Sequence, residues 1–406
     1  MTLLLEEPSA AVELEAQLLF EEARQRRRRL RIIWVTIVSA VVAVVVLPGL
    51  AFQFWAGPAS RPVGDGAPPV GPAHLRTGAT LVYAFTDLRV LDADSGHSRV
   101  LPLPAPYGES RDLAMVPVGS SLLLNRGNTA WLYAGDIDAA PLDLGPSDGV
   151  FAGPNGGEAW IWTQPCQPVL GCTNYEAPQM GAVRLVDDAG SQIGPSVALP
   201  GDSGWYPTGL AGSAGIILSQ LPAYGDHSND QELWNPLTDR VVHRFGNAQV
   251  VGTFGNLVLW ESSGRQCTTR CSVHVLDLRT GTDRSVQLPS GVTPTGYASN
   301  SPEDSTIAMT GVLGDASRIP DPQVVIVFHP SDRVARILAG SEQGTDPNLG
   351  PMAISWSTNG WLFSFTVGTT DVRAWRPGET QARVLPELRL PRVSHLVNED
   401  PSLIAR

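Results

Sequence analysis

Seven pairs of short apolar segments follow one another between residue 75 and the end of the 406-residue chain. Each segment has about five residues and is bounded by Gly, Pro, Asp or Asn, a pattern that predicts β-strands joined by turns. The residue that marks the end of each pair recurs at intervals of 44, 51, 48, 42, 52 and 47 positions, and the markers are Asp92, Asp136, Asp187, Asn235, Asp277, His329 and Arg376. A period of about 45 residues without a sustained helical pattern predicts a repeat architecture.

The turns of the first and fifth units share one sequence pattern. Val90 to Gly96 reads VLDADSG and Val275 to Gly281 reads VLDLRTG, and in both units a proline lies eight positions after the glycine. This pattern resembles the seven-bladed β-propellers of the WD40 and quinoprotein-like kind. The resemblance implies an all-β, seven-bladed β-propeller over residues 75–406. No Trp-Asp dipeptide occurs, and a function does not follow, because propellers include both binding modules and enzymes.

The first unit lacks a clear innermost strand before Ala79. A ring of blades has an open edge unless the two ends of the chain share one blade. We therefore expect the C-terminal segment Arg392 to Val397 to complete the first blade.

The segment Ile32 to Phe52 contains no charged side chain and directly follows six arginines that lie between Arg24 and Arg31. As a helix it would span about 30 Å, the thickness of the hydrocarbon layer of a bilayer. The flanking arginines orient the N-terminus toward the cytoplasm. This predicts a cell-membrane protein that crosses the lipid once, with a cytoplasmic helix at 1–31, a transmembrane helix at 32–52, a Pro/Gly-rich stalk at 53–74 and an extracytoplasmic propeller. A cleaved signal peptide, with a small-x-small sequence at Gly49 to Ala51, and a buried core helix are the alternatives.

Composition excludes several classes of function. All 28 basic residues are arginine, so neither a Schiff-base lysine nor the lysine of a phosphate-binding loop is present. After residue 31 the chain has 28 − 6 = 22 arginines and 40 − 6 = 34 acidic residues, a net charge of −12. Such a surface repels nucleic acid, and no cofactor is predicted. The arginine-only, Ala/Gly/Pro-rich usage is typical of a GC-rich bacterial genome.

Four cysteines form two closely spaced pairs, Cys166 with Cys172 and Cys267 with Cys271. Cysteines in an extracytoplasmic compartment oxidise, and we expect these two pairings because each lies within one loop. A zinc site is the alternative, although neither spacing is the usual C-x2-C.

Four long loops are expected on one side of the propeller, because the connection between the second and third strands of a blade emerges on the same side as the links between blades. They run from Thr163 to Gly181, Gln220 to Gln231, Ser262 to Ser272 and Gly311 to Gln323. Long loops in a compact domain are more often functional than idle, so this rim is the predicted binding face. The candidate binding residues are Tyr175, Glu176, Tyr224, Asp226, His227, Asp230, Arg265, Arg270, Asp315 and Arg318.

Two alternatives apply to these polar residues. One is that the loops are decoration tolerated at blade tips, with solvated side chains. The other is that Asp226, His227, Asp230 and Glu232 bind a cation. Trp205 lies in an inter-blade link where it could be exposed. No catalytic or metal-binding residue is assigned.

Three functions remain open at this stage. The first is a membrane-anchored module that binds or scaffolds an extracytoplasmic protein or glycan. The second is an extracytoplasmic propeller enzyme, a hydrolase or lyase, whose carboxylates gather near the channel. The third is a transmembrane sensor that signals through its N-terminal helix.

Overall fold

The computed structural model describes residues 75–84, 88–104, 114–126, 128–135, 140–164, 181–200, 205–220, 230–262, 271–314, 322–343, 352–366, 369–390 and 402–405. These residues form 28 β-strands, numbered in chain order, in seven four-stranded antiparallel sheets. The N-terminal helix, transmembrane helix and stalk expected at residues 1–74 lie outside this part of the chain. Within it, no helix has the length and apolar character needed to cross a membrane.

The seven sheets are the blades of a β-propeller, and the prediction of an all-β, seven-bladed propeller is confirmed. Blade 1 contains β1 (Thr80–Ala84), β2 (Leu88–Asp92), β3 (Ser98–Leu101) and the last strand, β28 (Ser402–Ala405). Blade 2 contains β4 (Ala114–Val118), β5 (Ser121–Arg126), β6 (Thr129–Tyr133) and β7 (Leu142–Pro146). Blade 3 contains β8 (Gly149–Ala152), β9 (Glu158–Thr163), β10 (Ala182–Asp187) and β11 (Gln192–Ala198).

Blades 4 to 7 follow the same order, in which the first strand is innermost and the fourth is outermost. Blade 4 contains β12 (Trp205–Gly212), β13 (Gly215–Gln220), β14 (Gln231–Asn235) and β15 (Arg240–Gly246). Blade 5 contains β16 (Ala248–Phe254), β17 (Leu257–Ser262), β18 (Ser272–Asp277) and β19 (Thr282–Gln287). Blade 6 contains β20 (Val292–Asn300), β21 (Ile307–Leu313), β22 (Gln323–Phe328) and β23 (Arg336–Ile337). Blade 7 contains β24 (Met352–Trp356), β25 (Leu362–Thr366), β26 (Asp371–Trp375) and β27 (Arg383–Arg389).

The ring is closed by β28, which pairs with β1 from Leu81 opposite Ala405 to Ala84 opposite Ser402. The prediction that a C-terminal segment completes the first blade is therefore confirmed, but the choice of Arg392 to Val397 was wrong. The segment Ser402–Ala405 fills the innermost position with small and apolar side chains, and Ile404 is buried against blade 2 while Ala405 is buried against blade 7. Arg392 to Val397 contains Arg392 and His395, and ionisable side chains are costly to bury between blades.

The hydrophobic core lies between neighbouring blades. The described residues form seven buried clusters, and each cluster joins the strands of two adjacent blades, so every blade interface has one. At the closure, Tyr83 of blade 1 packs edge-on against Phe365 of blade 7 with ring centroids 5.4 Å apart. Middle strands are buried on both faces, which explains why their sequences are nearly continuous apolar runs rather than alternating ones.

The two ends of the propeller differ in their connections. We call the end with the inter-blade links and the connections between second and third strands the loop side, and the opposite end the turn side. Residues 75–79 lead into β1, the second strand of blade 1, so the chain enters on the turn side. There the Asp94 carboxylate accepts hydrogen bonds from the backbone N–H groups of Thr77 and Gly78, at 2.5 and 2.9 Å. Asn359 of blade 7 donates to the Thr77 carbonyl at 2.6 Å.

Candidate functional site

The four long connections lie where the repeat pattern predicts them, between the second and third strands of blades 3, 4, 5 and 6. Most of the candidate residues lie outside the described residues, namely Tyr175, Glu176, Tyr224, Asp226, His227, Arg265, Arg270, Asp315 and Arg318. Asp230 is described and directly precedes β14 of blade 4. The binding face as a whole therefore stays a prediction.

Cys271 is the one cysteine among the described residues, and it directly precedes β18 of blade 5. It is only 6% exposed and is disulfide-bonded. Its backbone carbonyl accepts a hydrogen bond from Leu288, which ties this loop end to the link between blades 5 and 6. The predicted pairings with Cys166, Cys172 and Cys267 stay predictions, since these residues lie outside the described part.

A pocket of about 420 Å³ lies on the loop side of blade 4. This volume falls in the range of small-ligand sites. Three strands of one blade supply its walls: Trp205 begins the innermost strand β12, Asp230 to Glu232 lie at the start of β14, and Val241 and Arg244 belong to the outermost strand β15. The pocket thus combines an aromatic side chain, an aliphatic side chain and groups of both charges.

Glu232 is the buried charged group of this pocket. The residue is 4% exposed, and its Oε2 lies 3.5 Å from Nε of Arg244. The Arg244 side chain is 78% exposed, so solvent screens this ion pair strongly. Burial raises the pKa of Glu232, and Arg244 lowers it only in part, so the net shift is upward. The negative charge of Glu232 is therefore incompletely compensated within the described structure.

Other contacts hold the pocket walls in place. Oε1 of Gln231 accepts a hydrogen bond from the backbone N–H of Val250 at 2.6 Å, which joins the rim of blade 4 to the innermost strand of blade 5. Trp205 is partly buried and packs against the hydrophobic cluster between blades 3 and 4. Contacts with neighbouring blades thus hold Gln231 and Trp205 in place in the pocket wall.

An aromatic row lies beside the pocket, between blades 4 and 5. His243 and Phe245 of β15 have ring centroids 4.6 Å apart, and Phe245 lies 6.3 Å from Trp260 of β17. Trp260 stacks on His274 at 4.1 Å, and Nδ1 of His274 lies 3.3 Å from Asp283. The row packs the outermost strand of blade 4 onto the next blade and contributes no wall of the pocket.

The innermost strands of the seven blades carry no ionisable acid, base or thiol other than tyrosine. The sequences of β28, β4, β8, β12, β16, β20 and β24 contain no Asp, Glu, His, Cys, Lys or Arg. Across the part of the chain that the structure describes, no three His, Cys, Asp or Glu side chains are placed to hold a metal ion together.

The sequence singled out Asp230 and Glu232 together as possible cation ligands and Trp205 as a possibly exposed aromatic residue, and it did not join the three into one pocket. Gln231, Val241 and Arg244 were missed, and so was Glu261, a largely buried carboxyl on β17. The signal for Glu232 was present, because it is an acidic residue next to the apolar pair Leu233-Trp234 in a predicted strand. Val241 and Arg244 carry no such signal, since outermost strands have mixed polar and apolar residues.

The fold defines the class of this chain, a seven-bladed β-propeller. Among solved structures it is similar to hydrazine synthase from Kuenenia stuttgartiensis, with 12% identity, a TM-score of 0.42, and coverage of 68% of this chain and 78% of that one. It is also similar to an acylaminoacyl peptidase from Pyrococcus horikoshii, with 11% identity, a TM-score of 0.45, and coverage of 77% and 51%.

Dipeptidyl peptidase 4 from Porphyromonas gingivalis is a further similar structure, with 11% identity, a TM-score of 0.41, and coverage of 76% and 51%. The chain thus spans about half the length of each of the two peptidases. No protein-family model and no curated protein matches the chain. Identities this low carry no conclusion about function.

Proposed function

We propose that this chain is a membrane-anchored binding module whose propeller takes an extracytoplasmic protein or glycan on its loop side. Residues 32–52 are the single anchor in this proposal, with the N-terminus in the cytoplasm, and residues 53–74 are the stalk. The cysteine pairs Cys166 with Cys172 and Cys267 with Cys271 staple two of the long loops. The observation that carries the binding role is the pocket on blade 4, with its buried Glu232 and with Trp205 and Gln231 held by neighbouring blades.

The point at which the chain enters the propeller supports this arrangement. Thr77 and Gly78 are held on the turn side by Asp94, whereas the pocket opens on the loop side. The first described residues therefore meet the propeller at the end opposite to the pocket. Eighteen residues of the proposed stalk, Ala56 to Ala73, include five prolines and four glycines, and such a segment can extend up to about 50 Å.

The composition of the innermost strands favours binding over chemistry at the channel. A propeller hydrolase or lyase of the kind considered above needs carboxylates, or a carboxylate and a histidine, that converge near the channel. The seven innermost strands supply neither type of residue. Such an enzyme would have to draw all its catalytic groups from other strands or from loops.

Membrane topology is tested with one epitope tag at each end of the full-length chain. We expect an antibody to label the C-terminal tag on spheroplasts, and to label the N-terminal tag only after the membrane is permeabilised. The chain has no lysine, so tags are preferable to amine-reactive reagents. Labelling of both tags only after permeabilisation would contradict the extracytoplasmic assignment.

The binding role is tested by immobilising the detergent-solubilised full-length protein and applying extracytoplasmic extract. A partner captured by the wild type should be lost from a Trp205→Ala variant, because this change removes one wall of the pocket. The matched control is Arg279→Ala, which alters an exposed side chain on the turn side. Equal capture by both variants would place the partner elsewhere.

A deletion of residues 1–29 separates the binding module from the sensor. A binding module should still capture its partner after this deletion, whereas a sensor would lose its signalling output.

A further inference from the structure

We infer that the pocket on blade 4 binds the cationic side chain of an arginine or lysine of a partner protein. This inference rests on the proposed function, since it names the ligand class for the loop side. It follows from the burial of Glu232 beside an exposed arginine, from the charges around it and from the side chains that form the walls.

Glu232 is a buried carboxylate in the pocket wall. Its Oε2 lies 3.5 Å from Nε of Arg244, which is the one ion-pair partner of Glu232 among the described residues. The side chain of Glu232 is 6% exposed, so water reaches it poorly. A buried carboxylate whose counter-ion lies in solvent is incompletely compensated, and a charged donor compensates it better than a neutral one. A ligand with N–H groups and a positive charge supplies this compensation.

The charges around the pocket favour a cation. Asp230 and Glu232 contribute two negative charges and Arg244 contributes one positive charge, so the described lining of the pocket has a net charge of −1. Arg244 is largely in solvent, where its attraction for Glu232 is weak. Anionic ligands are repelled both here and by the overall charge of −12. A second cation that reaches Glu232 from within the pocket is less screened by water.

The remaining walls suit a long side chain with a charged end. Trp205 offers an aromatic ring, which attracts cations by about 0.5–2 kcal/mol. Val241 offers apolar surface for the methylene groups of arginine or lysine, which prefer such contacts. A neutral sugar could stack on Trp205 and donate a hydroxyl to Glu232, but it would leave the charge of Glu232 uncompensated. The observations therefore favour a basic peptide over a glycan.

The test compares two peptides that differ only in charge. The probe is the acetylated and amidated peptide Gly-Arg-Gly, and its control carries citrulline, which has the shape of arginine without the charge. Binding to the full-length protein in detergent is measured by titration calorimetry at pH 7.5 and low salt. We expect the arginine peptide to bind at least about tenfold more tightly than the citrulline peptide. Glu232→Gln should abolish this difference, and Arg279→Ala should preserve it.

Each alternative result has a definite meaning. Equal or undetectable binding of the two peptides would overturn the inference, and so would a Glu232→Gln variant that still prefers arginine. If neutral oligosaccharides displace the captured partner from the wild type and the arginine peptide does not, the pocket is assigned to a glycan. In these cases the proposed function stands if the wild type still captures a partner that Trp205→Ala loses. If Trp205→Ala also captures the partner as well as the wild type does, the proposed function is overturned. Thermal unfolding of Glu232→Gln near that of the wild type confirms that the variant is folded.

Discussion

Glu261 makes the stability of the propeller depend on pH. It is the second-to-last residue of β17 in blade 5, at the end of the strand near the loop side, and it is largely buried. No described side chain forms an ion pair with it. Burial therefore raises the pKa of Glu261 from 4.5 to about 7. The folded protein holds this proton more tightly than the unfolded chain does.

The size of the effect follows from the two pKa values. Their difference of 7 − 4.5 is about 2.5 units, equivalent to about 3.4 kcal/mol of unfolding free energy as an upper bound. Because the side chain retains some contact with solvent, screening reduces this to about 1–2 kcal/mol. A carboxyl with a raised pKa contributes its full stability below pH 4.5, and the contribution is lost as the pH rises through about 7.

The test uses Glu261→Gln, which keeps the shape of the side chain and cannot ionise. Denaturant unfolding of the full-length protein in detergent is followed by tryptophan fluorescence at pH 4.5 and pH 8. The compared quantity is the unfolding free energy of the variant minus that of the wild type. We expect this difference to be about 1–2 kcal/mol more favourable to the variant at pH 8 than at pH 4.5. The exposed Glu342→Gln should show no such change. A constant difference between Glu261→Gln and wild type at both pH values would refute the reasoning.

Two further predictions concern closure and backbone geometry. Ile404→Ala removes a buried side chain from the strand that closes the ring. We expect chemical denaturation to show a loss of about 2–4 kcal/mol in the free energy of unfolding. A loss within about 0.5 kcal/mol, as for surface changes, would show that β28 contributes little. Gly215→Ala places a Cβ atom 2.2 Å from the carbonyl oxygen of Trp234 at a φ of +145°, and should lower the melting temperature strongly. The matched change Gly156→Ala meets no atom within 4 Å and should be neutral, so equal melting temperatures for the two variants would contradict the expected clash.

The blades were predictable because their signals are local. A strand such as Leu122 to Leu124 and the turn at Asp277 to Gly281 are recognised from the residues themselves, through apolar content and turn chemistry. The Asp277 carboxylate accepts a hydrogen bond from the backbone N–H of Arg279, as the turn pattern requires. The positions of the four long loops follow from the same local pattern, since their flanking strands were recognised.

The closing strand was placed wrongly because the choice between two strand-like segments depends on tertiary packing. Arg392 to Val397 has strand-like residues, and so does the short segment Ser402 to Ala405. In the closed ring Ile404 is buried against blade 2 and Ala405 against blade 7. These neighbours exist only when the blades are assembled, so apolar content and turn chemistry do not identify the strand that meets them.

The sequence by itself determined the number of blades, their strand order and the side on which the long connections emerge, because each depends on residues close together along the chain. The tertiary structure decided which side chains meet. Trp205, Glu232 and Arg244 share a pocket because β12, β14 and β15 belong to one blade, and Gln231 reaches blade 5 because neighbouring blades pack together. The burial that perturbs Glu232 and Glu261 likewise arises only when the blades are packed, since a carboxyl in an isolated strand remains in water.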